Sequence, residues 1–182
     1  MWVALSAWRW HHSFGREVYA MDEGQQGNLT RRKFLCVVDD SPECRLALRF
    51  AFRRAARTGG GVLLLYVIEP ADFQHWMAVE NLMKEEAREE AEEILQTLAD
   101  EVSQWSGIMP EFAIREGRKL EQVLSLLDDE PEIRLLVLGA SKEKDGPGPL
   151  VSALAGPQSG QLRVPITVVP GTLSFDQIDE VT

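Results

Sequence analysis

Leu135-Leu136-Val137-Leu138 is a short apolar run that opens into a polar loop carrying Gly139, Gly146, Gly148 and Gly156. The loop gives way to a β-branched run, Ile166-Thr167-Val168-Val169. Runs of this length, flanked by Gly and Pro, read as buried strands. A strand that feeds a glycine-rich loop and then a helix start turns backbone N–H groups outward, and such a nest suits phosphate. Lys142, Lys144 and Arg163 stand near it in sequence as cations for the same anion. The bland alternative is a set of glycines that only close a tight bend. A second polar turn, Asp39-Asp40-Ser41, follows the apolar run Phe34-Leu35-Cys36-Val37-Val38. Its carboxylates could face a ligand, or Asp39 could simply form an Asx turn that caps the next helix.

Other chemistries find little support. The chain has no Walker lysine motif. His75 is the one histidine outside the first dozen residues, so no Ser/His/Asp set can be assembled. Two isolated cysteines, Cys36 and Cys44, and three histidines, His11, His12 and His75, offer no metal-ligand spacing. Cys44 falls in the first turn of a helix, where a thiol pKa can drop. Packing is the expected role, with both thiols reduced.

The elements that must position these turns alternate. After the first strand, Ser41 or Asp40 is a ready N-cap, Pro42 suits the first helical position, and the helix runs over 43–57 until Gly59-Gly60-Gly61 stops it. A continuous apolar run over 62–68 is the second strand. A long helix is expected over 73–105, with Ala87, Ala91, Ile94, Leu98 and Val102 on the inward face and glutamates on the solvated one. Phe112-Ala113-Ile114 is the third strand, ending at Gly117. A helix over 120–127 stops before Pro131. The fourth strand, 135–138, a short helix within 150–162 and the fifth strand, 166–169, complete the set. Five such alternations predict an α/β fold: a five-stranded parallel sheet, doubly wound, Rossmann-like, with right-handed crossovers. Ligands in such sheets bind beyond the carboxyl ends of the strands, where the winding reverses. If strands one and four are neighbours, Asp39 and Gly139 meet there.

A net charge of −10 argues against duplex DNA and anionic membranes as partners. No apolar run approaches the ~20 residues that span a bilayer. The opening MWVALSAWRWHHSFGREVYA lacks the order of a signal peptide, and the chain is expected in the cytoplasm. Residues 1–31 are expected to form a disordered N-terminal extension, or an upstream start with Met21 as the true beginning. An interfacial Trp/Arg anchor is the alternative. Residues 32–171 form the domain, and 172–182 an acidic, loosely held C-terminal tail.

Nine residues separate Gly146 from Gly156. Together with Val37-Val38-Asp39-Asp40-Ser41, Tyr66-Val67-Ile68-Glu69-Pro70 and Arg115-Glu116-Gly117, this spacing resembles the universal stress protein (UspA-type) family. That family's nucleotide-binding members carry a glycine, two residues, a second glycine, nine residues, then glycine and Ser or Thr. Here six residues lie between Gly139 and Gly146, a four-residue insertion, and Pro157 replaces the Ser/Thr.

The resemblance implies an adenine nucleotide (ATP, ADP or AMP), no catalysis beyond slow incidental hydrolysis, no metal beyond a Mg ion carried with the nucleotide, and a homodimer formed through the 166–169 edge. It places Asp39, with Asp40 and Ser41, at the ribose or adenine side, and the Val67 backbone at the adenine edge. Gly117 closes the third strand's exit. Gly139, Ala140, Gly146, Gly148, Gly156 and Ser159 belong to the phosphate loop. Pro147, Pro149 and Pro157 each remove an N–H. A hydrogen bond to a charged acceptor contributes about 1.5–3 kcal/mol, so losing two would weaken a triphosphate about a hundredfold or more. Asp40, where the family has glycine, adds repulsion. Gln158, Ser159, Gly160, Lys142 and Lys144 are the expected compensators. The alternative is a regulatory interaction module of the same fold, without nucleotide.

Overall fold

The computed structural model describes residues 18–19, 32–69 and 77–182. In chain order the elements are β1 (Val18–Tyr19), β2 (Lys33–Val38), α1 (Pro42–Thr58), β3 (Gly61–Ile68), α2 (Met77–Ser106) and β4 (Glu111–Glu116). They continue with α3 (Lys119–Asp129), β5 (Ile133–Ala140), α4 (Pro149–Leu154), a 3-10 turn (Ser159–Gln161), β6 (Ile166–Pro170) and α5 (Phe175–Val181). The expectations for residues 1–31, apart from the two in β1, and for Pro70 and the helix start at 73 lie outside the described residues, as do the three histidines.

The five expected strands form a parallel sheet in the order β4-β3-β2-β5-β6, with β1 added antiparallel at the β4 edge. The chain winds outward from β2 through β3 to β4, then returns to lay β5 on the other side of β2. The winding therefore reverses between β2 and β5, which pair in parallel with Cys36 opposite Val137.

Strand residues alternate between two cores, because successive side chains leave opposite faces of the sheet. Phe34, Cys36, Val38, Val62, Leu64 and Val137 pack on one face, against Ala51 and Phe52 of α1 and Ala91 and Leu95 of α2. Leu35, Leu63, Leu65 and Leu136 pack on the other, against Val123, Leu126 and Leu127 of α3 and Leu154 of α4. Each fully buried aliphatic side chain of this kind stabilises the fold by about 1.5–3 kcal/mol relative to exposure. The glutamate face of α2 is solvated, as its pattern predicts: Glu85, Glu86, Glu89, Glu90 and Glu93 are exposed.

The acidic C-terminus needs correction. Residues 172–182 do not form a loose tail; they carry α5, docked on α1. Ser174 and Gln177 form a capping box at its start, and Ile178 is fully buried. Arg49 and Arg53 of α1 both grip Asp179: their Nε atoms donate to Oδ1 at 2.8 and 2.9 Å and their Nη2 atoms to Oδ2 at 2.6 Å each. The hydrogen bond from Arg49, aided by Arg53 and set against partial desolvation, lowers the Asp179 pKa to about 2. The Arg49 guanidinium also lies 4.4 Å from the ring centroid of Trp105.

The amino-terminal rim of the sheet is built from charges that satisfy one another. Lys33, at the start of β2, reaches Glu111 at 2.7 Å and Glu132 at 2.9 Å, with Glu130 at 3.8 Å. Burial pulls the Lys33 ammonium down, yet the hydrogen bonds and charges of Glu111 and Glu132 outweigh it and leave the pKa raised. Arg163 lies at this same rim. Its guanidinium donates to the carbonyls of Leu127 (2.5 Å), Glu130 (2.5 Å) and Ile133 (3.1 Å), tying the end of α3 to the start of β5.

Candidate functional site

The opposite rim, at the carboxyl ends of the strands, holds the candidate site. Extending the β2–β5 register by two residues sets Val38 beside Gly139, so the turns that follow them emerge side by side. Between them lies a cavity of about 210 Å³ lined by Val37, Asp39, Ser41, Glu43, Cys44, Lys119, Leu138, Gly139, Pro147, Gly148, Pro149, Leu150 and Val151. The floor is the apolar end of the two strands, one wall is the first turn of α1, and the other is the loop before α4.

Local chemistry fixes the α1 wall. Asp39 Oδ1 accepts from the Ser41 N–H at 3.0 Å, and Ser41 Oγ accepts from the Cys44 N–H at 3.2 Å. Asp39 thus forms the Asx turn, and Ser41 is the cap. One oxygen of the Asp39 carboxylate serves the turn, and the side chain remains exposed. Cys44 is buried, and its Sγ lies 3.8 Å from the Val37 carbonyl. Desolvation pushes its pKa up to about 11, with Asp39 and Asp40 opposing ionisation through space. Its place in the first helical turn does not make it a reactive thiolate.

Gly139 has a packing reason to be glycine. A Cβ there would lie 2.4 Å from the Glu43 carbonyl oxygen and 2.7 Å from its carbon, so the first turn of α1 rests directly on β5. Gly148 has a backbone reason: its φ of +99° precedes Pro149 at the start of α4, a conformation that side chains disfavour.

The eleven expected site residues are not all brought together. Asp39, Ser41, Gly139 and Gly148 line the cavity. Ala140 adjoins it, with its carbonyl accepting from the Gly171 N–H at 2.8 Å. Asp40 faces an adjoining recess of about 470 Å³ between α1 and α2, which shares Asp39, Ser41 and Cys44 with the crevice and adds Arg45, Glu90, Glu93 and Ile94. Val67 and Gly117 sit at the ends of β3 and β4, where the Gly117 N–H donates to the Ile68 carbonyl at 3.0 Å. Gly146, at φ +111°, lies in the loop, and Gly156 and Ser159 lie beyond α4; these three do not line the cavity.

Several groups expected to hold phosphate are engaged elsewhere. Ser141 N–H donates to the Pro147 carbonyl (3.2 Å), Glu143 N–H to Ser141 Oγ (3.1 Å) and Gly146 N–H to the Glu143 carbonyl (3.3 Å), so the inserted loop closes on itself. Gln158 and Ser159 donate their amides to Ala153 and Gly156. Lys142 and Lys144 are exposed and outside the cavity lining. Arg163 is corrected outright, since it serves the far rim. The cation that does line the crevice is Lys119, which sequence reasoning passed over. It sits just past the carboxyl end of a parallel strand, as Asp39 does, and that topological position was the available signal. Among the described residues, no cluster of His, Cys, Asp and Glu could hold a metal ion, and no helix is long and apolar enough to cross a membrane.

Comparison with solved structures agrees with this architecture. A universal stress protein from Lactobacillus plantarum superposes with a TM-score of 0.63 at 21% identity, covering 76% of this chain and 98% of that one. A member from Burkholderia pseudomallei gives a TM-score of 0.55 at 17% identity over 79% and 99% of the two chains. A universal stress protein in complex with cAMP gives 0.52 at 16% identity over 77% and 97%. Comparison with curated proteins gives no match. The model of the universal stress protein family matches residues 30–170, the span that runs from before β2 through β6, and the chain therefore belongs to the universal stress protein family.

Proposed function

We infer that this chain binds an adenine nucleotide in the crevice between the Asp39 and Gly139 turns. It acts as a cytoplasmic binding protein in the stress response rather than as an enzyme. One observation carries the reading: the two turns, far apart in sequence, line a single cavity at the point where the winding reverses. The cAMP held by one solved relative supports an adenine ligand in this fold. A homodimer fits the same reading. Among the described residues β6 ends the sheet, Val168 is exposed on it, and such an edge of alternating β-branched residues invites a symmetry mate.

A second reading has its own observation. Pro147, Pro149 and Pro157 lack amides, and the loop's remaining N–H groups are partly consumed within it. That favours an interaction module of the same fold whose phosphate site has decayed. The two separate on purified protein. Nucleotide released on denaturation, together with micromolar calorimetric affinity for AMP or ATP, supports the binding reading. Affinity no better than millimolar for both contradicts it. Pro157→Ser, which restores an N–H and a hydroxyl, should then strengthen binding if decay is the cause. Sedimentation at micromolar concentration should give a dimer; monomer alone contradicts the assembly.

A further inference from the structure

We propose that Lys119 is the anion-holding side chain of the crevice, that Glu69 occupies its ammonium while the crevice is empty, and that the pair selects a single phosphate. On this view a nucleoside monophosphate binds in preference to a triphosphate. The inference rests on the nucleotide reading above and deepens it.

Three observations converge. Among the described residues lining the cavity, Lys119 carries the positive charge, against the carboxylates of Asp39 and Glu43. A second and third phosphate would therefore meet net repulsion with no further cation in the lining. The loop that would follow a longer phosphate chain outward has no N–H at Pro147 and Pro149 and spends those of Ser141, Glu143 and Gly146 within itself.

The third observation is the pair itself. Arg118, the N-cap of α3, makes no side-chain cap. The carboxylate of Glu69, leaving β3, takes that place: Oε1 accepts from the Lys119 N–H at 3.4 Å while Oε2 lies 3.6 Å from Lys119 Nζ. Both contacts are long, and Glu69 is largely exposed. Such a surface pair contributes little stability, so a phosphate can take the ammonium from Glu69 at small cost. Lysine binds phosphate as a movable point charge and needs no fixed fork, which suits a side chain that must exchange one anion for another.

The test is calorimetric titration of the full chain and of Lys119→Gln and Glu69→Gln with adenosine, AMP and ATP. AMP should bind about tenfold more tightly than adenosine, the value of one charged contact, and more tightly than ATP. Lys119→Gln should erase AMP's advantage while leaving adenosine affinity in place, which also shows that the variant is folded. Glu69→Gln should strengthen AMP about threefold by removing a competing surface charge, a gain that a merely structural role for Glu69 would not produce. ATP binding as tightly as AMP, an AMP advantage that survives Lys119→Gln, or loss of adenosine binding in that variant overturns the inference and leaves the nucleotide reading standing. No binding of any of the three overturns both.

Discussion

The two rims of the sheet handle polar groups in opposite ways. At the amino-terminal rim, Lys33 is buried among Glu111, Glu130 and Glu132, and Arg163 spends its donors on three carbonyls. At the carboxyl rim, Asp39 is exposed with one oxygen in a turn, Lys119 is held only at 3.6 Å, and two glycines in positive-φ conformations shape the loop. The first rim is closed and structural. The second is loosely partnered, which is why the proposed ligand is placed there. Polar residues alone do not mark a site; their unspent bonding capacity does.

The largest effect expected from breaking this contrast is at Arg163. Arg163→Ala leaves three carbonyls without their charged donor, and about 3 kcal/mol of stability should be lost. The expected readout is a lower urea midpoint with unchanged m-value and unaltered AMP affinity. An affinity loss would instead place Arg163 with the ligand.

Lys33→Met should cost about 2–3 kcal/mol, because three carboxylates are left crowded without their partner. The Lys33 pKa is raised on folding, so its contribution is complete below the unfolded value of 10.5 and fades as pH rises through the higher folded value. The difference between wild type and variant should hold from pH 7 to 10 and shrink only above that. A difference that vanished by pH 9 would contradict the arrangement.

At the carboxyl rim, Gly139→Ala drives a methyl into the backbone of Glu43 and should cost about 1–3 kcal/mol through displacement of α1. Here the stability loss should come with weaker AMP binding, since the displaced turn carries Asp39 and Ser41. Loss of stability without change in affinity would separate the crevice from the Gly139 turn.

The smallest effect is expected at α5. Gly171, which leads into it, lies close to Ala140, Lys142 and Glu43, while α5 itself docks on α1 away from the crevice lining. Asp179→Ala should cost about 1 kcal/mol, as for a partly exposed pair, with little change in affinity. Because the folded pKa of Asp179 is lowered to about 2, its contribution is present above the unfolded value of 3.8 and lost as pH falls through about 2. Docking of α5, followed by Trp105 fluorescence, should therefore persist to pH 4. Release near pH 5 would contradict the clamp.

What was legible in the sequence divides along the same line. Apolar runs such as that of β3 specify buried strands by themselves, and Ser41-Pro42 marks the start of α1 because capping is local. The alternation of elements marks a doubly wound sheet, but the adjacency of β2 and β5 that joins Asp39 to Gly139 was only a condition until the strand order was seen. Contacts between distant residues were illegible: Lys33 meets Glu111 and Glu132, and Arg163 meets the carbonyls of Leu127 and Ile133, through pairings that no local pattern announces. Gly139, expected in the phosphate loop, also has a packing reason to be glycine that no local pattern announces, the Glu43 backbone against it. α5 was legible in principle, since Ser174 and Gln177 stand three apart as a capping box, but its acidic composition masked it until Arg49 and Arg53 supplied the countercharge.

The most direct test of the crevice is amide chemical-shift mapping during AMP titration. Shifts should gather at residues 39–44, 119, 139–140 and 148–151, while Lys33, Glu111, Ile133 and Arg163 at the far rim stay silent. Shifts centred on the far rim or on residues 90–98 of α2, or none at saturating AMP, would contradict the account.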